Sequence, residues 1–281
     1  FSWNSIPDSI AVLGGGPIGS ELAQAFSRLG AKVYVVASKL MPKEDKGVRE
    51  VMEKVFANEG IEVVGGRASD AQMKGNKVIV TTDTGKTVEV DHLLVSAGRR
   101  PNVESLRLEN AKVKYNTKGI MVDGRLRTSA EHIAAAGDCT GGQQFTHLAG
   151  FQAFVALRNL VLPLNDSAEA LVPRVTFTDP EVGHVGLTEE ENVAKHGKRA
   201  RVVRRELRGI DRAVCENESE GFFKIMYLSN GRITGATIVC SRAGEILNQM
   251  ATAIVAKMTM TQLAKVMHAY PSFSFEIQSM A

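Results

Sequence analysis

Ser9-Ile-Ala-Val-Leu-Gly14-Gly-Gly16-Pro-Ile-Gly19-Ser-Glu21 is a short apolar run that ends in spaced glycines and continues as a helix. The pattern is Gly14-x-Gly16-x-x-Gly19, completed by Gly15, Pro17 and Ile18. Gly14 permits the tight turn, Gly16 lets a pyrophosphate approach the backbone, and Gly19 lets helix and strand pack closely. The helix start offers backbone N–H groups to the phosphate charge. Ile18, Leu22, Ala25, Phe26 and Leu29 fall at the spacing of a buried helical stripe, and Gly30 ends the helix. Lys32 to Val36 reads as the next strand, so strand, turn, helix and strand form one βαβ unit. A glycine pattern alone is weak, but with both neighbours correct it predicts a nucleotide site.

The end of that second strand bears on which nicotinamide cofactor binds. An NAD-selective site usually has an acidic residue there to hold the ribose 2′-hydroxyl. This chain has Ala37-Ser38-Lys39 instead. No carboxylate repels a 2′-phosphate, Ser38 can donate a hydrogen bond, and Lys39 supplies positive charge. NADP(H) is therefore expected over NAD(H).

Further along, a helix at about Gly47 to Asn58 precedes a strand at Glu62 to Val64. Lys77 to Thr82 and Thr87 to Val90 flank Asp83-Thr-Gly85 as a β-hairpin, and His92 to Ser96 returns to the sheet. The segment Ala134-Ala-Ala-Gly-Asp138-Cys-Thr-Gly-Gly-Gln-Gln-Phe-Thr146-His-Leu-Ala149 reads as a buried strand, a turn bearing Asp138, and a helix start near Thr146. A carboxylate there can accept hydrogen bonds from ribityl or ribose hydroxyls, and the helix start suits a ring oxygen or a phosphate. A flavin fold needs its own glycine-rich turn, so the chain reads as the C-terminal part of a larger flavoenzyme. The helix from about Leu148 carries Phe151, Phe154, Val155, Leu157 and Leu160, and a turn is expected at Pro163 to Ser167. From about Val172, strands at Arg174 to Phe177, Arg201 to Leu207, Phe222 to Leu228 and Ile233 to Cys240 precede helices near Gly244 to Lys257 and Thr261 to Met267. That order predicts an α+β unit.

The chain has 281 residues, 44% of them apolar and 23% charged, with a net charge of +3. That balance is ordinary for a globular protein and implies no strong polyanion partner. No apolar run reaches the roughly 18 to 20 residues of a membrane span. The basic stretch Arg199 to Leu207 interleaves Ala200, Val202 and Val203 with its charges and carries no aromatic residue for base stacking. It reads as one solvated strand face, not a nucleic-acid site. Cys139, Cys215 and Cys240 are scattered, which points to neither a disulfide framework nor a metal site and fits a reducing compartment, cytoplasm or organelle matrix. The first residues, beginning at Phe1, lack a targeting pattern.

Taken together, Gly14-Gly-Gly-Pro-Ile-Gly-Ser-Glu21, Ala97-Gly-Arg-Arg-Pro-Asn102, Ala136-Gly-Asp138, Thr178-Asp-Pro-Glu-Val182, Val185-Gly-Leu-Thr188, Asp211-Arg-Ala213 and Gly221-Phe-Phe-Lys224 resemble the pyridine nucleotide–disulfide oxidoreductase family. The wording Cys139 to Ala149 and His268-Ala-Tyr-Pro271 is most similar to its mercuric reductase-like branch. The resemblance implies an α/β Rossmann-like NAD(P)-binding domain at 1–97, inserted in an FAD-binding domain whose C-terminal part is 98–170. An α+β dimerisation domain follows at 171–281, through which a homodimer forms. It implies that Asp138 binds the FAD ribityl region, and that Thr146, His147, Leu148 and Ala149 face the flavin pyrimidine edge. Glu21 matches a glutamate that pairs with a lysine near the flavin, and Gly98 a glycine near the nicotinamide nucleotide.

The expected function is transfer of hydride from NADPH through FAD to a disulfide, metal ion or other small-molecule acceptor. Direct reduction of a quinone-like acceptor, or a truncated nucleotide-binding and dimerisation module, are the alternatives. The family's C-terminal His–Glu pair is altered, with Tyr270 at the histidine position, Phe275 at the glutamate position and Glu276 one residue late. A phenol with a reference pKa near 10 is a poor base at neutral pH. Tyr270 remains a candidate hydrogen-bond donor at the acceptor, or an aromatic filler beside Pro271 and Phe273. His268, Cys139, Cys215 and Cys240 are expected to be structural.

Overall fold

The computed structural model describes residues 4–162 and 164–281. The first three residues and Pro163, where the expected turn begins, lie outside them. The chain divides into two compact units, one formed by Phe1–Gly98 with Pro173–Ala281, the other by Arg99–Val172.

In the first unit, β1 (Ser9–Leu13), α1 (Pro17–Arg28) and β2 (Lys32–Val36) follow the order expected from the glycine pattern. Then come α2 (Lys46–Asn58), β3 (Glu62–Val64), β4 (Ala68–Lys74), β5 (Lys77–Thr82), β6 (Thr87–Val90) and β7 (His92–Val95). Strands β3-β2-β1-β7 make a sheet in which β1 pairs in parallel with both β2 and β7. β4-β5-β6 form an antiparallel excursion whose first strand, exposed at every residue, escaped the sequence reading. Asp91, at the base of β7, accepts from the Ser9 backbone at 3.0 Å and hydroxyl at 2.6 Å, and pairs with Lys77 at 2.5 Å. Lys77 first, and then Ser9, hold its carboxyl down at about 2.

The apolar stripe expected on α1 packs only in part, with Phe26 lying against the core. Gly19, Ser20, Ala23 and Gln24 are buried, whereas Ile18 and Leu29 are exposed. The reason is closeness. A Cβ added at Gly19 would land on the carbonyl oxygen of Gly14, so only small side chains fit between helix and turn.

The second unit holds a short hairpin, β8 (Tyr115–Asn116) with β9 (Gly119–Ile120), and a long helix, α3 (Thr146–Val161). Ala134, expected within a buried strand, makes one isolated bridge to Arg127. A ladder needs an adjacent extended chain, and among the described residues Arg127 alone provides it. Of the apolar residues foreseen on α3, Leu148 and Val155 are buried, while Phe151, Phe154, Leu157 and Leu160 are exposed.

Back in the first unit, the chain runs β10 (Arg174–Thr176), β11 (Glu181–Gly186), α4 (Glu189–His196), β12 (Ala200–Glu206), α5 (Asp211–Cys215), β13 (Phe222–Leu228) and β14 (Ile233–Cys240). It ends in α6 (Ala243–Val255), α7 (Met260–Leu263) and α8 (Phe275–Met280). The strands form an antiparallel sheet ordered β10-β11-β14-β13-β12. α6 lies against it where Gly183 leaves room: a Cβ there would stand 3.3 Å from Ala243 O and from the Leu247 side chain. α4 opens with a reciprocal capping box between Thr188 and Glu191. The basic residues of β12 are solvated, but on both faces and not on the one its alternation implied, since Arg201 and Val202, and Arg204 and Arg205, are exposed in neighbouring pairs. Arg204 pairs with Glu206 at 2.8 Å and Arg205 with Glu276 at 2.9 Å.

The parallel and antiparallel sheets share a core. Ile10, Val12, Met52 and Phe56 belong to the same buried cluster as Val182, Phe222 and Val239. Polar contacts seal the seam: Gln24 exchanges two bonds with the Asp179 backbone, at 2.7 and 2.8 Å, and Arg28 pairs with Asp179 at 2.8 Å.

His184 lies inside the antiparallel sheet at 2% exposure. Nε2 donates to Gly186 O at 3.0 Å, which leaves Nδ1 to accept from the Thr237 hydroxyl at 2.9 Å. Burial holds its pKa below the usual histidine value. Below about pH 6.5 the unfolded chain therefore binds a proton that the folded chain refuses, so stability present above that pH is lost as pH falls. The urea midpoint is expected to drop between pH 7.5 and 5.5, and the drop to shrink in His184→Gln, whose amide does not titrate.

Candidate functional site

The glycine turn is closed on three sides and open on the fourth. Gly14, at φ +110°, donates its N–H to Val36 O at 3.0 Å. A Cβ there would stand 2.7 Å from Ser96 O, and one at Gly15 would stand 2.7 Å from Lys39 O. Gly19 backs onto Gly14 O. At Gly16 a Cβ would meet nothing within 4 Å. Gly16 is also the N-cap of α1, with Pro17 following it and no side chain capping the helix. A turn that excludes side chains on its protein side, and leaves a bare helix start on the other, fits a pyrophosphate.

Two residues unnoticed in the sequence hold this turn. The Ser96 hydroxyl, at the end of β7, donates to Leu13 O at 2.9 Å and reaches Gly14 O at 3.3 Å. The Met41 N–H donates to Gly15 O at 2.6 Å. Neither carries a local signal, because each meets the turn only after the sheet has formed. Ala37 is buried at the end of β2, while Ser38 and Lys39 are exposed beside Gly15. Ile18 is exposed on the first turn of α1. Glu21 accepts the N–H of Phe177 at 2.8 Å. Gly98, the last residue of this part of the unit, is exposed and adopts φ +128°.

In the second unit, Asp138 sits on a 3-10 turn, Gly137–Thr140, with its side chain half exposed. Arg99 Nη1 lies 3.8 Å from its carboxylate, and Nη2 donates to Gln144 O at 2.6 Å. Gly137 adopts φ +75°, and a Cβ there would also press on the Ala149 side chain at 2.8 Å, so glycine is required on both counts. Its N–H is taken by the Gln152 side chain at 2.8 Å. The turn is thus seated on α3, which begins at Thr146 with no side-chain cap. Thr146 and His147 are exposed, and the His147 ring stacks on Phe145 at 5.2 Å. Leu148 is buried. An accessible carboxylate beside an uncapped helix start fits polyhydroxyl and ring-oxygen ligands such as those of FAD.

At the C-terminus the Tyr270 hydroxyl donates to Asp211 Oδ2 at 2.8 Å, and its ring meets Phe275 edge-on at 5.4 Å. The neighbouring carboxylate pushes the phenol pKa up, so Tyr270 keeps its proton and acts as a donor. Tyr270 is 64% exposed, while Phe273 is buried. Glu276 is buried against Arg205, and the His268 ring bonds Gln249 and Val266 O while its backbone N–H donates to the Gln278 side chain at 2.9 Å. Cys240 is buried and its thiol is pushed up to about 12 by burial. Cys139 donates to Ala136 O at 3.2 Å. Cys215 ends α5 and is exposed.

Among the described residues no three His, Cys, Asp or Glu side chains gather to hold a metal ion, and no helix is long and apolar enough to cross a membrane.

Comparison with known proteins agrees with this architecture. The pyridine nucleotide-disulphide oxidoreductase family matches residues 2–153, and its dimerisation domain matches residues 172–281. A mercuric reductase of Shigella flexneri is 37% identical over 278 residues, covering 95% of this chain and 48% of that protein. A dihydrolipoyl dehydrogenase of Chlamydia muridarum is 32% identical over 274 residues, covering 96% and 58%. Among solved structures, the HOCl-induced flavoprotein disulfide reductase RclA from Escherichia coli superposes with a TM-score of 0.92 at 29% identity, over 99% of this chain and 65% of that one. The chain spans about half the length of the curated relatives it matches. With the glycine turn, the parallel sheet around it and the antiparallel sheet beyond all falling inside the matched residues, the chain belongs to the pyridine nucleotide-disulphide oxidoreductase family.

Proposed function

We propose that this chain serves an FAD-dependent oxidoreductase that takes two electrons from NADPH and delivers them to a disulfide, metal ion or other small acceptor. The observation that carries the reading is the glycine turn, open only at Gly16 and bordered by Ala37, Ser38 and Lys39. In this reading residues 1–97 bind NADPH, 98–170 are the C-terminal part of the FAD domain, and 171–281 form a homodimer. When bound, FAD supplies the redox chemistry and the chain supplies binding and orientation.

Gly14, Gly15, Gly16 and Gly19 shape the pyrophosphate seat, with Pro17 and Ile18 in the first turn of the helix that faces it. Ala37, buried, ends the strand, and Ser38 and Lys39 meet the 2′-phosphate, one as donor and the other as charge. Gly98 borders the nicotinamide nucleotide. Asp138 orients ribityl hydroxyls, and the backbone of Thr146, His147, Leu148 and Ala149 meets the ring edge. Glu21, held through Phe177, is the partner for a cation near the flavin. Tyr270 keeps its single proton on Asp211 and leaves its oxygen lone pairs to touch the acceptor, an arrangement that suits a metal ion better than a thiol awaiting a base.

Stopped-flow reduction of the flavin-loaded protein tests the reading. NADPH should bleach the flavin at least about tenfold faster than NADH at equal subsaturating concentration, a difference of roughly 1.4 kcal/mol. Equal rates, or faster bleaching by NADH, would remove the assigned role of Ser38 and Lys39.

A further inference from the structure

The segment that follows β2, Ser38 to Asp45, is fastened at both ends by groups outside its own connection. Near the glycine turn, Leu40 and Met41 are buried and the Met41 N–H holds Gly15 O. Met41 has φ +45°, a conformation a bulky side chain keeps only where its surroundings impose it. At the far end two consecutive carboxylates reach into the antiparallel sheet. Glu44 receives Arg174 of β10 through Nε at 2.9 Å and Nη2 at 3.3 Å. Asp45 pairs with Lys224 of β13 while its other oxygen caps α2 by accepting the Val48 N–H at 3.2 Å. Lys224 is 4% exposed, and its ammonium also meets Glu189 at 3.1 Å and lies 5.9 Å from the centre of the Phe222 ring. Just beyond, α2 begins beneath Arg204: a Cβ at Gly47 would stand 2.7 Å from that guanidinium.

A loop tied only at β2 could shift its exposed tip by ångströms without disturbing either sheet. With Glu44 and Asp45 anchored, the chain is fixed both at Met41, on the Gly15 carbonyl, and just beyond it, and Ser38 and Lys39 span the short stretch between β2 and that fixed segment. We propose that Arg174 and Lys224 are positioning residues for the dinucleotide, holding the Ser38 to Asp45 loop where Ser38 and Lys39 can discriminate a 2′-phosphate. Cofactor selectivity is then set partly by side chains of a different sheet from the one that carries the glycine turn. This rests on the assignment of the 2′-phosphate to Ser38 and Lys39, so the experiment reads that assignment separately.

Dissociation constants for NADPH, NADH and 2′,5′-ADP are measured on the purified protein, its Arg174→Gln, Arg174→Lys and Lys224→Met variants, and a Lys54→Gln control. Lys54 pairs with Glu220 at 2.5 Å across the same seam but outside the loop. Arg174→Gln and Lys224→Met should weaken NADPH and 2′,5′-ADP roughly tenfold and NADH less than about threefold. KM for NADPH should rise with kcat unchanged, the mark of lost uniform binding. Arg174→Lys should recover part of the loss, and Lys54→Gln should match the parent. A parent protein that binds NADH as tightly as NADPH removes the 2′-phosphate assignment and the proposal with it. A parent that prefers NADPH, with an unchanged preference in Arg174→Gln and Lys224→Met, overturns the proposal alone. So does an equal weakening of both cofactors. If Lys224→Met does not fold, Arg174→Gln decides, because Arg174 is partly exposed.

Discussion

Gly19→Val should abolish NADPH binding and lower the melting temperature together, whereas Gly16→Ala should do only the first. A Cβ at Gly19 falls on the Gly14 carbonyl oxygen and within 2.7 Å of the Ser96 hydroxyl, so α1 must move off the turn. α1 cannot move freely, because Gln24 and Arg28 are bonded to Asp179 and Glu59. Overpacking of this kind costs about 1–3 kcal/mol or more, and ångström misplacement of a binding group costs on the order of a hundredfold. Gly16 differs: its φ of −76° suits any residue, and nothing lies within 4 Å of the new methyl. The methyl would instead fill the space left for a phosphate. Thermal melting and an NADPH fluorescence titration on both variants check this. Parental affinity in Gly16→Ala would move the pyrophosphate elsewhere.

Phe222→Ala should destabilise the first unit more than any surface change. The ring is fully buried in the cluster that joins Ile10, Met52 and Phe56 to Val182 and Val239. It also lies 4.0 Å below the Arg204 guanidinium. Truncation of a buried phenylalanine costs about 3–5 kcal/mol, which for a chain of this size lowers the melting temperature by roughly 10 °C. Because one core serves both sheets, near-ultraviolet dichroism and NADPH binding should be lost in one transition. Two separated transitions would show that the sheets do not unfold together. Val202→Ala, at an exposed position of β12, should change stability by less than about 0.5 kcal/mol.

What could be read from sequence was local. The strand–turn–helix around Gly14 and the hairpin at Asp83 follow from residues that are neighbours in the chain, and both stand where expected. The packed face of α1 was read in part: Phe26 packs against the core, but Ile18 and Leu29 of the same stripe are exposed, and the close approach of the turn demands glycine at Gly19. β4 has no apolar alternation to detect, since all its residues are exposed. β11 was quoted as two motifs and not seen as a strand, its Gly183 and Gly186 masking the pattern. α8 follows Pro271 too closely to announce itself. Of the residues around the turn, the glycines were legible. Ser96, Met41, Arg174 and Lys224 were not, because their partners lie far away in sequence.

That separation has a consequence for synthesis. Glu44 waits 130 residues for Arg174, and Glu21 waits 156 for the Phe177 amide. A nascent chain therefore exposes Leu40, Met41 and the inner side of α1 long before their covering strands leave the ribosome, and closing such distant contacts is slow. Chaperone capture and aggregation during translation should concentrate in that interval, and truncations ending before β13 should be recovered mostly as insoluble material.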